Sequence, residues 1–482
     1  MKNHSRKTLT ILLLLLLSSL GRVEGFSLGG PFTTWQVSTI GYNNFDEDLT
    51  GPMNISEEYR LTLPIYNYAF DATFLNYFGS NGERAINEAF DILNEIPSAN
   101  GINLADFPLQ AKGPVNFTAR DLLLFDMKSY TLGTMVAQMG LGAPERFVWC
   151  LRNRAINTDV LSGITSTNYI VIQRNFDPVQ PRVPSAVVNG TLYSYFIFDP
   201  VPLTNSTISF ADAVESLVDP LASDFTSLAG VDNRDPARSP NLGPGEYFTG
   251  LTREDAAAFK YIYSENNYNI EDPPTGTTLS TNSFVGGSPW IIPGVGFTTN
   301  TTMVTTALRP GIGAIRFNRV VFDSLVGTVL NVTNEFTDTF ITNGVVGQQI
   351  LQRVLVAPDI LISAGDLGVD PTGLPILRLR TLPSGWQDNS ALNTVGIGEI
   401  YGPGVITGDI EISFSRLGPY RINSTPIHLD EEFSFSGMGL AHFDAANIFA
   451  VFPAGSGIEE IESRIGSGET TDGGTNPSPF GP

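Results

Sequence analysis

Helical periodicity runs through the first half of this 482-residue chain and stops near residue 275. Ile86, Ala89, Phe90 and Leu93 recur at i, i+3, i+4 and i+7, so residues 80–96 read as an amphipathic helix closed by Pro97. Leu132, Met135, Val136 and Met139 repeat the spacing inside a second helix candidate, 121–141. A third covers 252–263, where Thr252 can cap the amino end and Asp255 follows three residues later, as in a capping box. Stretches 61–70, 168–173 and 191–198 between and before these helices read as extended.

Beyond Glu271-Asp272-Pro273-Pro274, which reads as a linker, the apolar runs 314–322, 349–356, 409–414 and 448–452 are short and β-prone. They are rich in β-branched or aromatic residues and separated by Gly, Pro, Asn and Asp. With 48 Gly and 32 Pro, the chain cannot sustain long helical arrays. The sequence therefore predicts a multidomain protein. An α+β domain over 26–272 is followed by an all-β, sandwich-like domain over 275–455. The stretch 456–482, made mostly of Gly, Ser, Thr, Glu and Pro, reads as a disordered tail.

Residues 1–25 have the three parts of an export signal. Lys2, Arg6 and Lys7 form a basic start, and 9–20 is apolar except for Thr10, Ser18 and Ser19. Small or modest residues then lead to a cut expected after Gly25. The apolar run is shorter than the roughly 20 residues of a membrane span, and no second run of that kind follows. The expectation is a mature chain without a membrane span, secreted outside the cell or held in the periplasm.

Cys150 is the single cysteine, so no intramolecular disulfide and no thiolate zinc site is available. Export without disulfides points to bacterial secretion. Cys150 follows Phe147-Val148-Trp149, the setting of a buried, inert thiol. A formal net charge of −22 repels phosphate backbones and argues against a nucleic-acid partner.

The most informative stretch is 126–143, DMKSYTLGTMVAQMGLGA. It resembles the zinc helix of matrixin-like metallopeptidases of the metzincin group, whose pattern is His-Glu-x-x-His-x-x-Gly-x-x-His. In that pattern two His at i and i+4 grip zinc from one helical face and the Glu activates a metal-bound water. A Gly breaks the helix so that the third His can turn back. Gly140 holds the helix-breaking position here, and Ser129 and Leu132 match the lead-in. The ligands are missing. Gly133 stands at the first His, Thr134 at the Glu, Ala137 at the second His and Ala143 at the third. The family's Met turn is also absent, since no Met falls between Met139 and Met303. Two further segments are similar to the family in the same order. Tyr68-Ala69-Phe70-Asp71 and the helix after it resemble the opening strand and helix. Gly250-Leu251-Thr252-Arg253-Glu254-Asp255, running to Tyr263, resembles the closing helix. The resemblance spans about 60–265. It implies a degenerate metallopeptidase fold in a large secreted bacterial protein, with zinc not expected.

Other candidates carry less chemistry. Asp46, Asp48 and Thr50, Gly51 at the sixth position and Glu57 at the twelfth follow the spacing of a calcium loop, although Pro52 and the lack of a preceding helix depart from it. A solvated acidic turn is the competing reading. After removal of 1–25 the chain keeps two histidines, His428 and His442, both assigned to the β domain and remote from 126–143. With Asp430, Glu432 and Asp444 they could converge on a metal if their strands were neighbours. Strand alternation instead places His428, Asp430 and Glu432 on one exposed face. No Gly-x-Ser-x-Gly elbow, Walker-type loop or dinucleotide glycine pattern occurs. The leading expectation is a non-catalytic binding or structural protein whose partner is an extracellular or cell-surface protein or glycan. The alternative is an extracellular hydrolase, either glycan-acting through a carboxylate pair or metal-dependent with an atypical site.

Overall fold

A computed structural model describes residues 24–33, 35–36, 51–158, 165–199, 211–222, 226–229, 242–280, 302–330, 332–365, 386–389, 403–415, 420–424, 431–432 and 439–450. Apart from Glu24 and Gly25, the signal segment lies outside these residues, as does the tail 456–482. The described chain is mixed and strand-rich, with several sheets and a few helices.

Three helices frame the first half. Helix α1, Ala72–Asn94, begins more than two turns before the predicted start because Asp71 caps it, its side chain accepting from Phe74 N. Non-helical geometry at Gly79 kinks it. Its buried stripe contains Phe74, Phe78, Ile86, Ala89, Phe90 and Leu93. Helix α2, Met127–Gln138, is shorter than the sequence suggested. Residues Leu124–Asp126 are a strand, paired in parallel with Gly439–Phe443, and Leu123 before them has a positive φ of 54° that no helix tolerates. Helix α3, Arg253–Tyr263, has the full capping box of Thr252 and Asp255.

The stripe of α1 lies on a six-stranded sheet ordered Arg316–Arg319, Ile65–Phe70, Ile360–Gly365, Ile410–Ser415, Tyr420–Ser424, Glu431–Glu432. The first four strands are parallel and the last two add antiparallel. Ile360, Ile362, Ile412 and Phe414 are all buried, and the Tyr68 ring stacks on Phe90 at 4.0 Å. Phe74 meets Phe70 at 5.3 Å and Phe414 at 5.9 Å. One contiguous core contains residues from Phe26 to Phe443.

A second, five-stranded antiparallel sheet is ordered Tyr268–Glu271, Ala307–Pro310, Val332–Thr342, Val345–Leu355, Thr277–Leu279. Its two long strands form a hairpin turning at Asn343-Gly344, where both residues have positive φ, the geometry an Asn-Gly turn favours.

These two sheets correct the expected division at 272–275. Pro273 and Pro274 lie between the two edge strands of one sheet, and Ile65–Phe70 takes both of its neighbours from beyond residue 275. Nor do the described strands after 275 form a sandwich of their own, since all but the small Phe322–Asp323 and Thr328–Val329 pair belong to sheets that include earlier strands. The change in periodicity marks a change in element type. It does not mark a break between cores, because α1 needs a sheet to cover its apolar stripe and the segment before 272 supplies one strand of it.

Candidate functional site

Asp126 caps α2, its carboxylate accepting from Ser129 N at 3.0 Å. The cap sets a helix whose twelve residues are all buried. Gly140, with φ of 85°, ends it, and a Cβ there would come within 2.3 Å of the Tyr59 carbonyl oxygen. The following turn is covered by Phe26–Gly30. Gly29 N donates to Gly140 O at 2.8 Å, and Gly142 N donates to Ser27 O at 3.0 Å. The Tyr263 hydroxyl donates to Met139 O at 2.8 Å.

Gly133, Thr134, Ala137 and Ala143 therefore sit in closed core. None offers a nitrogen or carboxylate to zinc, so these residues do not fit the metal. Among the described residues no group of three or more His, Cys, Asp or Glu is arranged to hold a metal ion.

His442 corrects the sequence reading, which placed it far from α2. Its Nδ1 lies 3.3 Å from Asp126 Oδ1 and its Nε2 lies 3.1 Å from Glu88 Oε2 on α1. The two carboxylates take opposite ring nitrogens, so Asp126 and Glu88 clamp the imidazole between them rather than chelating an ion with it. Ser129 Oγ donates to Asp126 at 2.5 Å and accepts from Phe248 N at 2.7 Å. Its proton goes to a carboxylate and not to an imidazole, which is not the order that activates a serine. His428 and Asp430 lie outside the described residues.

A cluster of buried acids joins α3 to Phe26–Gly30. Glu145 Oε1 accepts from Thr226 N at 2.6 Å and Ser227 N at 2.7 Å. Asp255 accepts from Thr252 N, Leu228 N and Ala229 N at 2.8, 3.1 and 2.9 Å. Glu254 is served more poorly. Ser27 N donates to its Oε1 at 3.3 Å, and its Oε2 has no hydrogen-bond partner among the described residues. Burial raises all three carboxyls above their ordinary range. Glu254 goes furthest, because the charges of Asp255 and Glu145 add to burial. The Cys150 thiol is buried and pushed well up by that burial, as an inert cysteine should be.

A cleft of about 440 Å³ lies beside the five-stranded sheet, bordered by Thr62, Pro64, Tyr268, Arg309, Phe336 and Asp338 among others. Two buried ion pairs build its floor. Arg60 Nε donates to Glu271 Oε1 at 2.7 Å, and its other nitrogens reach Asn267 O at 2.8 Å and Arg309 O at 3.0 Å. Arg309 grips Asp338 in bidentate fashion at 2.9 and 3.0 Å. Its remaining N–H groups go to the carbonyls of Glu271, Thr305 and Val304. All five guanidinium donors are thereby used. Gln349 Nε2 adds a bond to Asp338 at 2.7 Å. Tyr268 and Phe336 are half-buried at the cleft, while Glu265, Thr337 and Gln348 are exposed. No motif in the sequence signalled this site. The nearest signal was the Asn343-Gly344 turn, which predicts the hairpin that carries Phe336, Asp338 and Gln348.

Of the calcium candidate, Asp46, Asp48 and Thr50 lie outside the described residues. Gly51–Met53 is an extended strand paired with Leu28–Gly30, where a calcium loop needs a sharp turn. Glu57 is exposed and bonds within its own loop, its Oε2 accepting from Asn54 N at 2.9 Å.

No family model, no curated protein and no solved structure matches this chain. No described helix is long and apolar enough to cross a membrane.

Proposed function

We propose that this chain is an exported, non-catalytic binding or structural protein, built on a metzincin-like segment over 60–265 that has lost its metal. Its partner is an extracellular or cell-surface protein or glycan, received at the cleft beside the five-stranded sheet. One observation carries the non-catalytic reading. The positions that would hold zinc, its base and its water are Gly133, Thr134, Ala137 and Ala143, all buried, with Phe26–Gly30 packed over the turn that follows. A hydrolase needs a solvent-open reacting atom and a free acid or base beside it. The buried carboxylates of the cleft do not supply one, because Glu271 and Asp338 are each committed to an arginine.

Two measurements on the purified full chain test this reading. Zinc content is expected to be substoichiometric, and peptidase activity to be at background and unchanged by chelation. Stoichiometric zinc together with activity that chelation abolishes refutes it.

A further inference from the structure

The cleft has an electrostatic signature that narrows its ligand, and from it we infer that the cleft binds the neutral sugar rings of a glycan. This rests on the binding reading above. The cleft lining carries one cationic group, Arg309, and Arg60 lies buried behind it. Arg309 has no donor to spare, since its five N–H groups are bound to Asp338 and three carbonyls. A phosphate, sulfate or carboxylate therefore finds no free guanidinium edge, and the chain's net charge of −22 repels polyanions in addition. Cationic ligands are also poorly served. Glu271 and Asp338 are neutralised at 2.7 and 2.9 Å by Arg60 and Arg309, which leaves the exposed Glu265 as the carboxylate of the cleft without an arginine.

What the cleft does offer is oriented acceptors and small polar groups beside aromatic rings. Thr337 and Thr339 offer hydroxyls and Gln348 an amide, and Gln348 Nε2 orients Thr339 by donating to its Oγ1 at 3.3 Å. Tyr268 and Phe336 supply apolar faces. A sugar ring matches this pairing, with hydroxyls that both donate and accept and a C–H face that rests on an aromatic ring. The volume, about 440 Å³, lies in the range of small-ligand pockets. It admits a short stretch of a chain rather than a folded partner.

The test is calorimetric titration of the full chain with cellohexaose, xylohexaose, maltohexaose and the hexamer of N-acetylglucosamine, with heptalysine as the cationic probe. At least one neutral hexamer is expected to bind with an affinity insensitive to salt. Tyr268→Ala or Gln348→Ala is expected to weaken it by about tenfold. Gln348 is exposed, so its variant carries the test even if Tyr268→Ala disturbs folding. The inference is overturned if no hexamer binds at about 10 mM, if binding is unchanged in both variants, or if heptalysine binds instead with strong salt dependence. Release of new reducing ends from a bound hexamer would refute the non-catalytic reading and leave the ligand class standing. Absence of sugar binding in a zinc-free, inactive protein would remove the ligand class alone.

Discussion

Deleting residues 273–482 is expected to unfold what remains, even though 26–272 contains helices α1, α2 and α3. The reason is the six-stranded sheet. Ile65–Phe70 keeps its hydrogen-bonding edges in this fragment but loses both parallel neighbours, Arg316–Arg319 and Ile360–Gly365. The fragment also loses Phe317, Ile360, Ile362, Ile412 and Phe414, five buried side chains of the core that α1 joins. At about 1.5–3 kcal/mol for each such side chain, their burial contributes roughly 7–15 kcal/mol. That equals the whole net stability of an ordinary protein, about 5–15 kcal/mol. The fragment must in addition expose Phe74, Phe78 and Phe90, which the full chain buries. Fragment 26–272 and the full chain can be compared by urea unfolding followed by circular dichroism, with hydrogen exchange reporting on 65–94. The fragment is expected to show no cooperative transition and no slow amides in α1. A cooperative transition with a midpoint close to that of the full chain would refute the shared-core argument.

Three further outcomes follow from buried charge and backbone geometry. Glu254 keeps a proton in the folded protein that the unfolded chain releases above about pH 4.3. Its contribution is therefore fully present below that pH and is lost as pH rises through the raised folded value. Glu254→Gln should flatten the fall in urea midpoint between pH 4 and 8, and an unchanged slope would contradict the assignment. Glu271→Ala leaves the Arg60 guanidinium buried and unpaired at its Nε, with a loss of about 3–5 kcal/mol in unfolding free energy. A loss below about 1 kcal/mol would place that pair in water. Gly140→Ala puts a side chain on a residue with φ of 85° and against the Tyr59 carbonyl. It should cost at least about 1 kcal/mol, read as a lower thermal midpoint, and an unaffected midpoint would mean that α2 does not end there.

What the sequence alone determined about this protein is local. Thr252 and Asp255 close the capping box of α3 because both partners lie within one turn. Gly140 ends α2 for a backbone reason that needs no neighbour, whereas α1 stops at Asn94, before the expected end at Pro97. Thr191–Phe198 and Ile410–Ser415 fall where β-prone runs predicted strands. The absence of zinc ligands at Gly133, Thr134, Ala137 and Ala143 was legible in the same way. Only the tertiary structure decided which strands meet. A strand presents two hydrogen-bonding edges that carry no address, so nothing in Ile65–Phe70 names Arg316–Arg319 and Ile360–Gly365 as its neighbours. The same non-local pairing brings Gly439–Phe443 beside Leu124–Asp126 and so delivers His442 to Asp126, the cap of α2. The cleft is its product too. Arg60, Glu271, Arg309 and Asp338 are ordinary charged residues in sequence. They become a neutral, rigid floor because desolvation in the folded core leaves each charge stable only against its partner.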